Sequence, residues 1–207
     1  MKIALDAHEH LDTTVEGVGR FYDAKIQQHG LGWAYTPVEV LEMYLRWAIP
    51  GEIILDAGCG AGYLLERWQA RKESGIGIDC SLESVKLALS RNLNVLHGDM
   101  SHLCWADKFF AVSYALGSLE HTPDMTKALQ ELLRVTRRWL VLLVPLWSAD
   151  ISSHYEQEEL PNIERWLTRE EWAQLFQRAG VFISLQQPMF GGTDLLVVID
   201  VPRSHWA

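Results

Sequence analysis

From about residue 37 onward, apolar residues switch between helical and alternating spacings, and the switching predicts an α/β chain. Pro37 opens a helix on which Val38, Leu41, Leu45 and Ala48 share one face, and Pro50-Gly51 ends it. Ile53-Ile54-Leu55 starts a strand at about 53–57, which runs into Gly58-Cys59-Gly60-Ala61-Gly62 and a helix over roughly 62–72. Gly75 to Asp79 reads as a second strand, and Ser81 as the N-cap of a helix that turns Leu82, Val85, Ala88 and Leu89 inward. Asn94-Val95-Leu96 gives a third strand, ending at Gly98-Asp99, and Phe109 to Leu116 a fourth. Thr122-Pro123-Asp124 supplies the cap, first-turn proline and first-turn acid of a helix with Met125, Ala128, Leu129, Leu132 and Val135 as its buried stripe. Trp139 to Val144 is apolar without a break, as suits a strand covered on both faces of a parallel sheet.

The end of the chain departs from this alternation. Thr168 and Glu171 form a capping box, Trp172, Leu175, Phe176 and Ala179 face inward, and Gly180 closes the helix. Val181 to Leu185 and Leu195 to Ile199 are then two strands joined through Gly191-Gly192-Thr193-Asp194 with no helix between, so at least one strand is antiparallel. Residues 147–167, rich in Trp, Tyr and Glu, are long for a connection and predict a lid, an added helix or a mobile loop.

At 207 residues, one domain is the expectation, and 48% hydrophobic with 22% charged residues argues against disorder. No apolar run approaches the roughly 18 residues of a membrane span, and Asp6, His8, Glu9 and His10 interrupt the N-terminus before an export signal develops, so a cytoplasmic protein without membrane contact is expected. Cys59, Cys80 and Cys104 lack paired spacing, which argues against a disulfide framework and against zinc. A net charge of −9 with no concentrated run of Lys and Arg repels a polyanion, so nucleic acid is not an expected partner.

The turn after the first strand holds the clearest chemistry. Glycines let the backbone pass close beneath a ligand, and the following helix N-terminus offers N–H groups without helical partners, so a nucleotide-like ligand is implied. A dinucleotide fingerprint needs glycine where Tyr63 stands, and Gly62 comes one residue early. An ATP-type phosphate loop needs a lysine, and none follows this turn. Asp56 opposes a pyrophosphate but attracts an ammonium or sulfonium group, which favours S-adenosylmethionine. Asp79 ends the second strand where an acid can accept from ribose hydroxyls, and Asp99 follows the third where it can accept from the adenine amino group beside Met100. Singly, such acids are turn or helix caps; three at successive strand ends favour a ligand site. Cys59 reads as a small turn residue rather than a nucleophile, because no adjacent base activates it.

Together these residues resemble the class I S-adenosylmethionine-dependent methyltransferases, particularly the small-molecule group that includes quinone-pathway enzymes, over about residues 37–200. Asp56 to Gly62 looks like the D-x-G-x-G-x-G motif, Gly77-Ile78-Asp79 like the ribose-binding acid, Gly98-Asp99 like the adenine-side motif, and Leu119-Glu120-His121 like the signature after the fourth strand. Tyr114 to Ser118 departs from the pattern, since many relatives carry an acid or amide near its start. The resemblance implies a Rossmann-like α/β fold whose seven-stranded, mostly parallel sheet has the order 3-2-1-4-5-7-6 and an antiparallel last strand. It implies a site for S-adenosyl-L-methionine, and for the product S-adenosyl-L-homocysteine, built from Asp56, Gly58, Cys59, Gly60, Gly62, Asp79, Cys80, Asp99, Met100 and Leu116, without a metal. Tyr22, within a lid of residues 1–36, covers the sulfur; residues 147–167 form an acceptor-side insertion; Trp33, Trp147 and Trp166 are candidate walls for a small-molecule acceptor, and His121 is the candidate general base. The same turn would also serve a cofactor-binding subunit that does no catalysis.

Overall fold

A computed structural model of the chain describes residues 14–30, 36–147 and 165–201. Seven strands, β1 (Ile54–Ala57), β2 (Gly75–Asp79), β3 (Val95–His97), β4 (Phe110–Leu116), β5 (Thr136–Pro145), β6 (Ile183–Met189) and β7 (Asp194–Asp200), form one sheet in the order β3-β2-β1-β4-β5-β7-β6. β1 to β5 pair in parallel, whereas β7 runs antiparallel to both of its neighbours, β5 and β6. This is the order and the polarity that the resemblance implied.

Among the described residues six helices flank the sheet: α1 (Val15–His29), α2 (Val38–Tyr44), α3 (Tyr63–Gln69), α4 (Leu82–Ser90), α5 (Met125–Val135) and α6 (Arg169–Arg178). On one face, Leu129 and Leu132 of α5 and Trp172 and Phe176 of α6 pack with Leu140, Leu142, Val197 and Ile199. On the other, Leu64, Leu65 and Trp68 of α3 and Val85 and Ala88 of α4 pack with Val141, Leu196 and Val198. Successive strand residues point to opposite faces, so a stretch covered on both sides must be apolar at every position, as β5 is from Trp139 to Val144 and β7 from Leu195 to Ile199. None of the helices among the described residues is long and apolar enough to cross a membrane.

Three local expectations change. Leu82 and Leu89 are 43% and 51% exposed, because each residue turns a helix by about 100° and the arc facing the sheet is set by Ser84, Val85 and Ala88. Asp124, not Thr122, caps α5: its carboxylate accepts from the Lys127 N–H at 2.9 Å, while the Thr122 hydroxyl donates to the Leu119 carbonyl at 2.7 Å and closes a 3-10 turn over Leu119–His121. Pro123 therefore precedes the helix. β6 starts later and runs longer than the apolar run 181–185, reaching Met189 before a tight 3-10 turn at Phe190–Gly192. Of the lid, 1–13 and 31–35 lie outside the described residues, Trp33 among them, and so do 148–164 of the insertion.

Candidate functional site

The carboxyl ends of β1 to β4, together with α1, enclose a cavity of about 400 Å³. β1 delivers Asp56 to its wall, and the chain then turns at Gly58 with φ 73° and Gly60 with φ 51°, both in the left-handed region. The two glycines serve different ends. A Cβ on Gly58 would lie 2.3 Å from the Ser118 Cβ, because the turn after β1 is pressed against the turn after β4, and the Ser118 hydroxyl donates to the Ala57 carbonyl at 2.8 Å. A Cβ on Gly60 would meet nothing within 4 Å, since that position opens onto the cavity.

Asp79 ties the next turn to this one. Its Oδ2 accepts from the Gly60 N–H at 2.7 Å and its Oδ1 from the Ser81 N–H at 2.8 Å. Burial raises its pKa, and these backbone donors hold the rise back. Asp56 lies deeper, 4% exposed, and no hydrogen-bond donor among the described residues reaches its carboxylate. Burial first, and the charge of Asp79 second, push its pKa up to about 7. Asp99 is the opposite case. Burial works against its charge, but the Ser101 hydroxyl at 2.6 Å, His102 Nδ1 at 2.9 Å and the Ser101 N–H at 2.8 Å hold it below the ordinary carboxylate range.

Met100, Leu116, Cys59 and Cys80 complete this part of the wall. Burial raises the Cys59 thiol well above its ordinary range and the Cys80 thiol to about 12, so neither is poised as a nucleophile. Cys59 fits beneath Gly77, whose Cβ would come within 2.6 Å of its Sγ. Gly62 is the one residue of the expected cofactor set that does not line the cavity. A Cβ there would meet Leu93 Cδ1 at 2.4 Å, so this glycine lets α3 start against the turn that leads into β3.

Across the cavity, α1 contributes Val15, Val18, Tyr22 and Ile26. Three contacts seat the helix. A Cβ on Gly19 would lie 2.3 Å from the Cys80 carbonyl oxygen, so only glycine allows this approach. Asp23 Oδ1 accepts from the Ser81 hydroxyl at 2.7 Å and from the Glu83 N–H at 2.9 Å, at the N-terminus of α4. The Tyr22 hydroxyl lies 3.0 Å from His121 Nε2, with the two rings edge to face, and Glu120 Oε1 is 3.7 Å from the same nitrogen. His121 thus lines the cavity between a phenol from α1 and a buried carboxyl. Among the candidate acceptor walls, Trp147 and Trp166 are half-buried and do not line it. The far end of the 147–167 connection does return to the rim: the Arg165 guanidinium donates to the Pro123 carbonyl at 2.6 Å, and the Trp147 N–H to the Leu167 carbonyl at 2.9 Å.

Nothing in the hydrophobic pattern singled out Ser118, Gly19 or Asp23 for these contacts. Gly17 and Gly19 inside a helical stretch were the available signal, because a glycine in a helix interior marks a close approach of another backbone.

Residues 55–142 match the family model for the methyltransferase domain. The malonyl-(acyl-carrier protein) O-methyltransferase of Hamiltonella defensa is 29% identical over 129 residues, 59% of this chain and 50% of that one. The tRNA (carboxymethyluridine(34)-5-O)-methyltransferase of Arabidopsis thaliana is 28% identical over 154 residues, 72% of this chain and 35% of that one. The chain therefore spans half the length of the first of these relatives and about a third of the second. Among solved structures, the complex between the Haloferax volcanii Trm112 methyltransferase activator and the putative methyltransferase superposes with a TM-score of 0.73 at 19% identity, covering 94% of this chain and all of that one. The family match is thus confined to residues 55–142, and the sheet around it has the strand order of the class I methyltransferase fold.

Proposed function

We propose that the protein binds S-adenosylmethionine in this cavity and transfers its methyl group to a small-molecule acceptor. The observation that carries the reading is Asp56: a buried carboxylate on the wall with no donor reaching it is unfavourable until a cation sits beside it. The α-ammonium group of the cofactor is such a cation. Asp79 keeps acceptor capacity beyond its two backbone bonds for ribose hydroxyls, since an ionised carboxylate has about four lone-pair sites. Gly60 leaves room for the ligand, and Asp99 with Met100 offers an acceptor and an apolar surface to the adenine.

When bound, the cofactor supplies an already activated methyl group. The residues of this chain then have to align the acceptor, exclude water and take up a proton where the acceptor has one to lose. In this reading α1 roofs the cavity against water, and His121, whose Nε2 lies 3.0 Å from the Tyr22 hydroxyl, takes up the proton. Titration calorimetry with S-adenosylmethionine, S-adenosylhomocysteine and NAD tests the reading. The first two should bind and NAD should not; binding of NAD alone, or of none, overturns it. A labelled-methyl assay over an acceptor panel separates a transferase from a cofactor-binding subunit without catalysis.

A further inference from the structure

We infer that Ser101, with His102 beside it, is a positioning residue for the cofactor: it turns the Asp99 carboxylate so that Oδ1 reads the amino group of adenine. The inference rests on the cofactor reading and goes on to how the site selects an aminopurine. Asp99 lines the cavity, whereas Ser101, His102 and Lys127 do not, so they act on a ligand through Asp99.

The two oxygens are held differently. Oδ1 accepts from the Ser101 N–H at 2.8 Å, and Oδ2 accepts from the Ser101 hydroxyl at 2.6 Å and from His102 Nδ1 at 2.9 Å. Lys127 of α5 sets the direction of the His102 bond. Its Nζ bonds His102 Nε2, and an ammonium group can only donate, so Nε2 accepts and the ring hydrogen sits on Nδ1, facing Asp99. An ionised carboxylate has about four acceptor sites, two on each oxygen. These donors take both sites of Oδ2 and leave one on Oδ1. Ser101 is 5% exposed, so its two bonds are shielded from competing water, while the His102 side chain is 66% exposed and adds less.

Held below the ordinary carboxylate range, Asp99 stays ionised at neutral pH and can only accept. The adenine amino group has a hydrogen to give it. A purine with a bare hydrogen at that carbon has none, and leaves Oδ1 facing an apolar edge. Without the Ser101 hydroxyl the carboxylate can turn about its Cβ–Cγ bond, a broad torsion, and point its acceptor sites elsewhere.

The test is calorimetry with S-adenosylhomocysteine and its 6-deamino analogue, in which hydrogen replaces the adenine amino group. The parent is expected to bind S-adenosylhomocysteine about tenfold or more tightly than the analogue. Ser101→Ala is expected to narrow that gap about threefold or more, and His102→Ala to narrow it as well, whereas Ser101→Thr keeps the hydroxyl and should preserve it. A purely structural role for Ser101 would weaken both ligands equally, so an unchanged ratio in Ser101→Ala overturns the inference, as does a Ser101→Thr no more selective than Ser101→Ala. If Ser101→Ala does not fold, the exposed His102 still serves, and an unchanged ratio in His102→Ala overturns the inference. A parent that binds S-adenosylhomocysteine and the analogue alike also overturns it and leaves the cofactor reading standing. If S-adenosylhomocysteine itself fails to bind, the cofactor reading falls first and this inference falls with it.

Discussion

At the scale of single residues, Asp56 couples stability to function. Its folded pKa of about 7 stands above the ordinary value of 3.8, so between those values the folded chain holds a proton that the unfolded chain has released. Stability from this group is full below about pH 4 and is lost as pH rises through 7, at up to about 1.4 kcal/mol per pH unit. Asp56→Asn should flatten that part of the melting temperature against pH curve, and raise the melting temperature of the ligand-free protein at pH 8. The same variant should lose S-adenosylmethionine binding, whose affinity in the parent should climb with pH up to about 7. A variant that melts lower than the parent at pH 8 would refute the account of Asp56. Gly60→Val makes a complementary case: with nothing within 4 Å of the new Cβ, the fold should persist at a cost of roughly 1–2 kcal/mol for positive φ, while cofactor binding is abolished. A normal titration with Gly60→Val would move the cofactor elsewhere. The three acids were readable in the sequence because each closes an apolar run at a strand end. The role of Gly62 was not, since its steric partner, Leu93, belongs to a turn beyond α4 that no local pattern connects to it.

At the scale of elements, α1 is held at both sides of the cavity, by Asp23 at the start of α4 and by Tyr22 at His121. Asp23→Ala removes two hydrogen bonds to a carboxylate, worth roughly 1.5–3 kcal/mol each, and should free α1 without unfolding the sheet. Hydrogen exchange is the measurement: amides of α1 should lose protection in Asp23→Ala while those of β1, β4 and β5 keep theirs. Equal loss in all four elements would mean that α1 is part of the core rather than a roof. The type of nearly every element was legible, because apolar spacing is a property of each segment by itself. The inward arc of α4 and the cap of α5 were not, because both depend on which neighbour the helix meets.

At the scale of the whole molecule, a ligand bound only by the folded state stabilises it by mass action. S-adenosylhomocysteine at about 100 times its dissociation constant should add about 2.7 kcal/mol and raise the melting temperature by roughly 5–10 °C for a chain of this length. No shift at that ratio would mean that the cavity is not where the ligand goes. The sheet order itself was legible only through the resemblance, since spacing alone shows a hairpin at the end of the chain without showing which strand it joins. That placement matters during synthesis. β7, which follows every other strand in sequence, lies between β5 and β6, so until Asp194–Asp200 has left the ribosome β5 has a bare edge and β6 has no partner. A chain stopped after Gly192 should therefore be cut by protease throughout its second half, and one extended past Asp200 should resist, so that this sheet is completed from its middle by β7.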